Sequence, residues 1–209
     1  MILIGQYDSP FVRRVGIALT LYGLPFRHEP WSAFNDAEKF KRHSPVTRVP
    51  LLVLDTGEAL IESHAILDYL DSLAPVDQAM FPAAEPARHK ALKVATLATA
   101  MGERAVSLFY ERRLHKEVSD LWVSRCRAQI SDCLAALEAD RAARPGDYWF
   151  GPRIGHADIA VAVVLRFISE VPPGLADMAL CPALRAHAAR LEALPAFQKI
   201  AQPFHAPVV

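Results

Sequence analysis

The sequence predicts an α/β domain over residues 1–76 and an all-α domain over 87–209, joined by a linker at 77–86. Three observations carry this. Residues 1–80 hold 7 alanines and residues 81–209 hold 27, and alanine is the strongest helix former, so the second part reads as helical. Net charge changes sign at the same place: 7 basic against 10 acidic side chains in 1–80, then 16 against 13 in 81–209. Pro75, Pro82 and Pro86 lie between the two parts and suit an extended connection ending at a helix start.

The elements of the first part follow from local pattern. Met1-Ile2-Leu3-Ile4 is a short apolar strand. Ser9-Pro10 then opens a helix with Val12, Val15, Leu19 and Tyr22 at helical spacing, which Gly23 ends. Phe26 to Trp31 is a second strand, Leu51-Leu52-Val53-Leu54 a third, and Asp55-Thr56-Gly57-Glu58 turns the chain into a fourth at Ala59-Leu60-Ile61. Ile66, Tyr69, Leu70 and Leu73 form the stripe of a closing helix. A strand–helix–strand crossover is right-handed and parallel, and two adjacent strands joined by a tight turn pair as a hairpin, so the layout is β-α-β followed by β-β-α.

In the second part, long helices are expected from Glu85 to about His115, Val118 to about Ala143 and Gly155 to Ser169, with shorter ones near Leu184 and Pro195. Ile159, Val163, Val164, Phe167 and Ile168, with Ala160 and Ala162 between them, make the third helix apolar nearly all round, so it is the buried centre of a bundle. Gly155 is its cap, Asp158 sits where its carboxylate reaches back to the cap amide, and Ile154 with Ile159 forms a hydrophobic staple.

Composition narrows the function. With 52% hydrophobic and 22% charged residues over 209 positions, the chain is an ordinary globular protein with a sizeable core. A formal charge of zero gives no global field for a polyanion, so neither nucleic acid nor an anionic membrane is expected as a partner, and a small ligand suits the chain better. No apolar run approaches the ~20 residues needed to span a bilayer, and Met1–Gly5 leads into Asp8 without a charged leader. Cys126, Cys133 and Cys181 are too few for a disulfide framework and include no C-x-x-C pair, so the expected location is the cytoplasm. There is no H-E-x-x-H, no paired cysteine ligands and no glycine-rich phosphate loop, so no metal is expected.

Three short stretches remain that fit chemistry as well as folding. Ser9-Pro10-Phe11-Val12-Arg13 places a hydroxyl at a strand-to-helix turn, beside free amides and the positive end of a helix dipole, where a thiolate is stabilised. Ser44-Pro45-Val46-Thr47-Arg48-Val49-Pro50 enters the third strand; a cis Val49-Pro50 bond would turn the Val49 amide and carbonyl toward an extended peptide ligand. Glu62-Ser63 stands before the last helix of the first part, where a hydroxyl and amides hold a carboxylate while Glu62 pairs with an ammonium. Each stretch taken singly also reads as a helix cap or a proline-punctuated loop; their order within one β-α-β, β-β-α unit is the specific signal.

Together these residues resemble the cytosolic glutathione transferases over essentially the whole chain. Ser9-Pro10-Phe11-Val12-Arg13 is similar to the first-helix start of serine-type bacterial-like members, Val49-Pro50 to the family's cis-proline, Glu62-Ser63-His64-Ala65-Ile66 to its E-S-x-A-I motif and Gly155–Asp158 to its capping box. The sequence departs where Gly155 replaces the usual Ser or Thr cap, and where Ser44-Pro45-Val46-Thr47 replaces Asn-Pro-x-Gly. The resemblance implies a thioredoxin-like first domain in the order β-α-β-α-β-β-α, a cytoplasmic homodimer, and glutathione as co-substrate. It gives Ser9 the role of activating the thiolate. Val49 and Pro50 hold the cysteinyl backbone, Glu62 and Ser63 the γ-glutamyl end, and Lys41 and Arg48 the glycyl carboxylate.

Phe11, Met101, Arg104 and Tyr110 are candidates for a pocket that takes an electrophilic small molecule. Tyr7 is a rival thiolate donor, since other branches of the family use a tyrosine near this place. The implied activity is glutathione transfer to an electrophilic carbon. A glutathione-dependent isomerase or peroxidase, or a non-catalytic protein of the same fold, are the alternatives.

Overall fold

The computed structural model describes residues 1–171, 175 and 177–206. Its contacts divide the chain into two units, residues 1–80 together with the chain from Leu194 onward, and residues 81–193.

The first unit is built on a four-stranded mixed sheet of order β2-β1-β3-β4, with β1 Ile2–Ile4, β2 Arg27–Glu29, β3 Leu51–Val53 and β4 Ala59–Ile61. β2 runs parallel to β1, Ile2 opposite Arg27. β3 runs antiparallel to β1, Ile4 opposite Leu51, and β4 returns antiparallel to β3. This is the thioredoxin-like layout the sequence predicts. β2 is shorter than the expected 26–31 because Pro30 has no N–H to continue the ladder. Helices α1 Pro10–Leu21, α2 Ala37–Lys41 and α3 Ser63–Leu73 complete the order β-α-β-α-β-β-α.

The inner strands are apolar on both sides, so both faces are covered. Ile4, Leu51 and Val53 cluster with Phe40 of α2, and Val49 packs against that cluster. Leu3 and Leu52 point the other way and are fully buried, as are Val12, Val15 and Leu19 of α1 and Ile66, Leu67 and Leu70 of α3.

The second unit is helical: α4 Ala87–Leu114, α5 Asp120–Ala142, α6 His156–Glu170, a 3₁₀ turn Met178–Leu180 and α7 Pro182–Glu192. Every residue of α6 from His156 to Leu165 is buried, as its all-round apolar pattern requires. Asp158 fixes its start by accepting from Gly155 N at 2.8 Å and from Trp149 N at 2.7 Å. No described helix is long and apolar enough to cross a membrane.

The sequence assigns 87–209 to the helical domain, but the chain from Leu194 onward belongs to the first unit, including α8 Pro195–Lys199. Arg13 explains the return. α1 is buried around its whole circumference from Val12 to Leu19, so the Arg13 guanidinium has no route to water. It donates to Ile200 O at 2.7 Å and to Phe197 O at 3.0 Å instead. Gly16 makes room for this: a Cβ there would stand 2.8 Å from Ile200 Cγ2. Residues 207–209, also expected in the helical domain, lie outside the described residues.

Candidate functional site

The site begins at the N-terminus of α1. Ser9 is the cap, with extended backbone, and its Oγ accepts from Val12 N at 3.4 Å while Pro10 fills the first helical position. A hydroxyl that caps as an acceptor keeps its own proton to donate. Ser9 is half-buried and stands at the end of the helix where the dipole favours negative charge.

Gly5, at the end of β1, joins this helix start to the proline loop. It has φ +127, and a Cβ at this position would lie 2.6 Å from Val12 Cγ2 and 2.9 Å from Val49 Cγ1. Only a residue without a side chain allows both to approach. The Val49-Pro50 bond is cis. The Val49 side chain is spent on the sheet core, whereas neither its N–H nor its C=O is used in a hydrogen bond among the described residues. An unpaired amide and carbonyl on one residue is the edge an extended peptide pairs with. Thr47 in the same loop has φ 52, a conformation that favours glycine. This is where the sequence departs from Asn-Pro-x-Gly.

The third part is the entrance to α3. Glu62 is also at positive φ, 65, and directs the first turn of α3 from the end of β4. Its carboxylate lies 3.3 Å from Arg48 Nη1, which ties the proline loop to α3. Ser63 follows, 3% exposed, and its Oγ accepts from Arg14 Nη1 at 3.4 Å, which ties α1 to α3. Three segments far apart in sequence are thus held pairwise: α1 to Val49 through Gly5, the loop to α3 through Arg48 and Glu62, and α1 to α3 through Arg14 and Ser63.

Other expected residues fall differently. Lys41 is exposed at the end of α2 and pairs with Glu38 of its own helix at 2.5 Å. Met101 offers no exposed surface and packs as core, while Phe11, Arg104 and Tyr110 are half-buried. Arg104 lies over the Trp122 ring at 5.7 Å, and Tyr110 stands against Phe109. The Tyr7 ring stacks on His28, centroids 3.8 Å apart, and lines a cavity of about 460 Å³ with Thr20 and Lys199. Its Cε1 would be 3.2 Å from a Cβ on Gly16, a position about two helical turns from Ser9. Burial raises its phenol to a pKa of about 12. Among the described residues no cluster of three His, Cys, Asp or Glu side chains is placed to hold a metal.

Sequence reasoning misses the positive φ at Thr47 and Glu62, the Arg48–Glu62 pair and Arg14. The departure from Asn-Pro-x-Gly is a signal for the first. For Arg14 the signal is a charged residue within a helix start otherwise rich in apolar side chains.

Comparison with known proteins finds relatives that share the fold. The glutathione S-transferase N-terminal domain matches residues 3–82, and the glutathione S-transferase C-terminal domain matches residues 120–190. The uncharacterized GST-like protein YibF of Escherichia coli K12 is 32% identical over 142 residues, 66% of this chain and 68% of that protein. A glutathione S-transferase from Methylobacterium radiotolerans, solved in complex with glutathione sulfonate, superposes with a TM-score of 0.89 at 31% identity, covering 100% of this chain and 99% of that one. A holo maleyl pyruvate isomerase, described as a bacterial glutathione S-transferase of the Zeta class, gives 0.80 at 26% identity, covering 99% and 100%.

Proposed function

Because the chain belongs to the glutathione S-transferase family, we propose that it activates the thiol of glutathione through the Ser9 hydroxyl and transfers the thiolate to an electrophilic carbon of a small molecule. The observation that carries this reading is the state of Ser9: its oxygen accepts from Val12 N, which leaves its proton to donate at the positive end of α1.

A free thiol with a pKa of about 8.5 is only a few per cent ionised at pH 7, and the thiolate is the nucleophile. Lowering that pKa by about two, worth ~2.7 kcal/mol, ionises about three-quarters of it at pH 7. In the reaction the S–H proton leaves to solvent and the sulfur electron pair forms a bond to carbon. Either a leaving group departs with its bonding pair, or the π electrons of an activated alkene shift and are protonated. The Val49 N–H and C=O pair with the cysteinyl backbone. Ser63 donates to the γ-glutamyl carboxylate, and Glu62 receives the ligand's ammonium, with Arg48 moving from Glu62 toward the glycyl carboxylate. Lys41 is the second cation for that carboxylate, released from its exposed pair with Glu38.

A second reading, glutathione-dependent isomerisation on the same residues, is supported by the likeness to maleyl pyruvate isomerase. The homodimer and the cytoplasmic location implied by the family resemblance belong to the same proposal, and sedimentation at working concentration tests the first.

The experiment is a product assay with aryl halides, α,β-unsaturated carbonyls, hydroperoxides and cis-enone acids, following glutathione, its conjugate and its disulfide. Conjugate formation that falls roughly tenfold to a hundredfold in Ser9→Ala is the expected result. Substrate turnover that leaves glutathione unchanged supports the isomerase, disulfide formation supports a peroxidase, and binding without turnover supports a non-catalytic role.

A further inference from the structure

Arg13 and Arg14 are neighbours in sequence and meet the same problem with different outcomes. Both side chains are buried, at 2% and 0% exposure. Arg13 is satisfied by two backbone carbonyls of the C-terminal segment and by the Phe197 ring, 5.6 Å away. Arg14 has one partner, the Ser63 hydroxyl, and its Nε and Nη2 have none among the described residues. Burial lowers its pKa to about 9, which still leaves it charged at neutral pH, and no carboxylate contributes to that shift.

A charge in this position is expensive. Removing a guanidinium from water costs several kcal/mol unless it is paired and fully hydrogen-bonded. A residue kept for folding alone would be apolar here, as Val12 and Val15 are, or would have found carbonyls as Arg13 did. With no carboxylate beside it, the buried guanidinium lacks a countercharge. Ser63 supplies the connection: its oxygen accepts from Arg14, so its own proton remains to be donated, and a cation behind a hydroxyl strengthens the hydrogen bond that hydroxyl gives.

We infer that Arg14 is a positioning residue that supplies, through the Ser63 hydroxyl, the countercharge for the α-carboxylate at the γ-glutamyl end of the ligand. This rests on the glutathione reading of the site. The unliganded protein carries the cost of the unpaired charge, and the ligand's carboxylate relieves it.

The test uses two ligands, S-methylglutathione and the same molecule with the γ-glutamyl α-carboxylate replaced by hydrogen, titrated by calorimetry into wild type, Arg14→Met, Arg14→Lys, Arg14→Gln and Ser63→Ala. The decisive quantity is the ratio of the two Kd values. In wild type the carboxylate-bearing ligand binds more tightly. In Arg14→Met that preference falls roughly tenfold to a hundredfold, while the carboxylate-free ligand keeps its affinity. Arg14→Met combined with Ser63→Ala loses little more than either alone, because the two act in series.

The unliganded Arg14→Met protein melts at a higher temperature than wild type, a change that a merely structural arginine would reverse. An unchanged ratio, or equal weakening of both ligands, overturns the inference while leaving the glutathione reading intact. A wild-type protein that binds neither ligand overturns both. Arg14→Lys, which keeps the charge, is expected to keep most of the preference. Should Arg14→Met not fold, the neutral Arg14→Gln supplies the ratio: a reduced preference with unchanged affinity for the carboxylate-free ligand supports the inference, and equal loss for both ligands contradicts it.

Discussion

The Glu62 carboxylate stands 3.3 Å from the Arg48 guanidinium, and Glu62 reaches it from a backbone held at φ 65. The pair is more than half exposed, so the ion pair itself contributes little to stability. The backbone is the costly part: a non-glycine residue in this region is strained by about 1–3 kcal/mol and persists where surrounding structure imposes it. Glu62→Ala and Glu62→Gly both delete the carboxylate, but only glycine relieves the strain. Glu62→Gly is expected to be more stable than Glu62→Ala by about 1 kcal/mol or more, with both equally weakened for glutathione. Denaturant titration and calorimetry check this; equal stability would show that the backbone relaxes.

Thr47 carries a similar strain, at φ 52, and is β-branched, which makes it worse. Thr47→Gly is expected to raise stability by about 1–2 kcal/mol with glutathione affinity unchanged, measured by thermal melting and calorimetry. A lower melting temperature would show that the Thr47 side chain contributes more than its backbone costs.

Gly5 is the reverse case. An added Cβ would meet Val12 Cγ2 at 2.6 Å and Val49 Cγ1 at 2.9 Å, both set in packed positions. Gly5→Ala is expected to cost about 1–3 kcal/mol or more and to weaken glutathione binding by shifting α1 from the proline loop. Val12→Ala introduced with it should recover part of the stability, a coupling that a double-mutant cycle measures. Strict additivity would mean that the two positions do not press on each other.

In the helical unit His187 and Asp158 are both buried, with His187 Nε2 3.4 Å from Asp158 Oδ1. Burial, reinforced by Arg141 and Arg190, lowers the His187 pKa to about 4 from an ordinary 6.5. Its contribution to stability is therefore present above 6.5 and lost as pH falls toward 4, because the unfolded chain takes up a proton that the folded one refuses. Burial raises Asp158 to about 6, so in that range the folded form takes a proton first and the effect has the opposite sign. The melting temperature of His187→Leu minus that of wild type should therefore become more positive as pH falls from 6.5 to 4. A pH-independent difference would mean that His187 is protonated within the fold.

The strands and long helices are legible because short apolar runs, the all-round apolar pattern of α6, Pro10, Gly23 and the alanine-rich second part all report local preference. Ser9, Val49, Pro50, Glu62 and Ser63 are legible as a pattern of caps and prolines in a fixed order. What escapes depends on packing and backbone geometry that residue type does not report. The return of Phe197 and Ile200 to the first unit depends on Arg13 needing two carbonyls inside a helix buried on every side. Lys41, chosen for its charge, sits on an exposed face with Glu38 within reach, and periodicity in a five-residue helix gives no warning. Met101 has the composition of a pocket residue and the burial of a core one. The positive φ at Glu62 has no counterpart in its residue type.

The role of Ser9 is tested most directly by a spectroscopic pH titration of the glutathione thiol bound to wild type, Ser9→Ala and Tyr7→Phe. Activation by Ser9 requires a bound-thiol pKa near 6.5 in wild type rather than the free value of about 8.5, a return toward 8.5 in Ser9→Ala, and no change in Tyr7→Phe, whose ring stacks on His28. A bound thiol that titrates near 8.5 in wild type, or one that rises only in Tyr7→Phe, would contradict it.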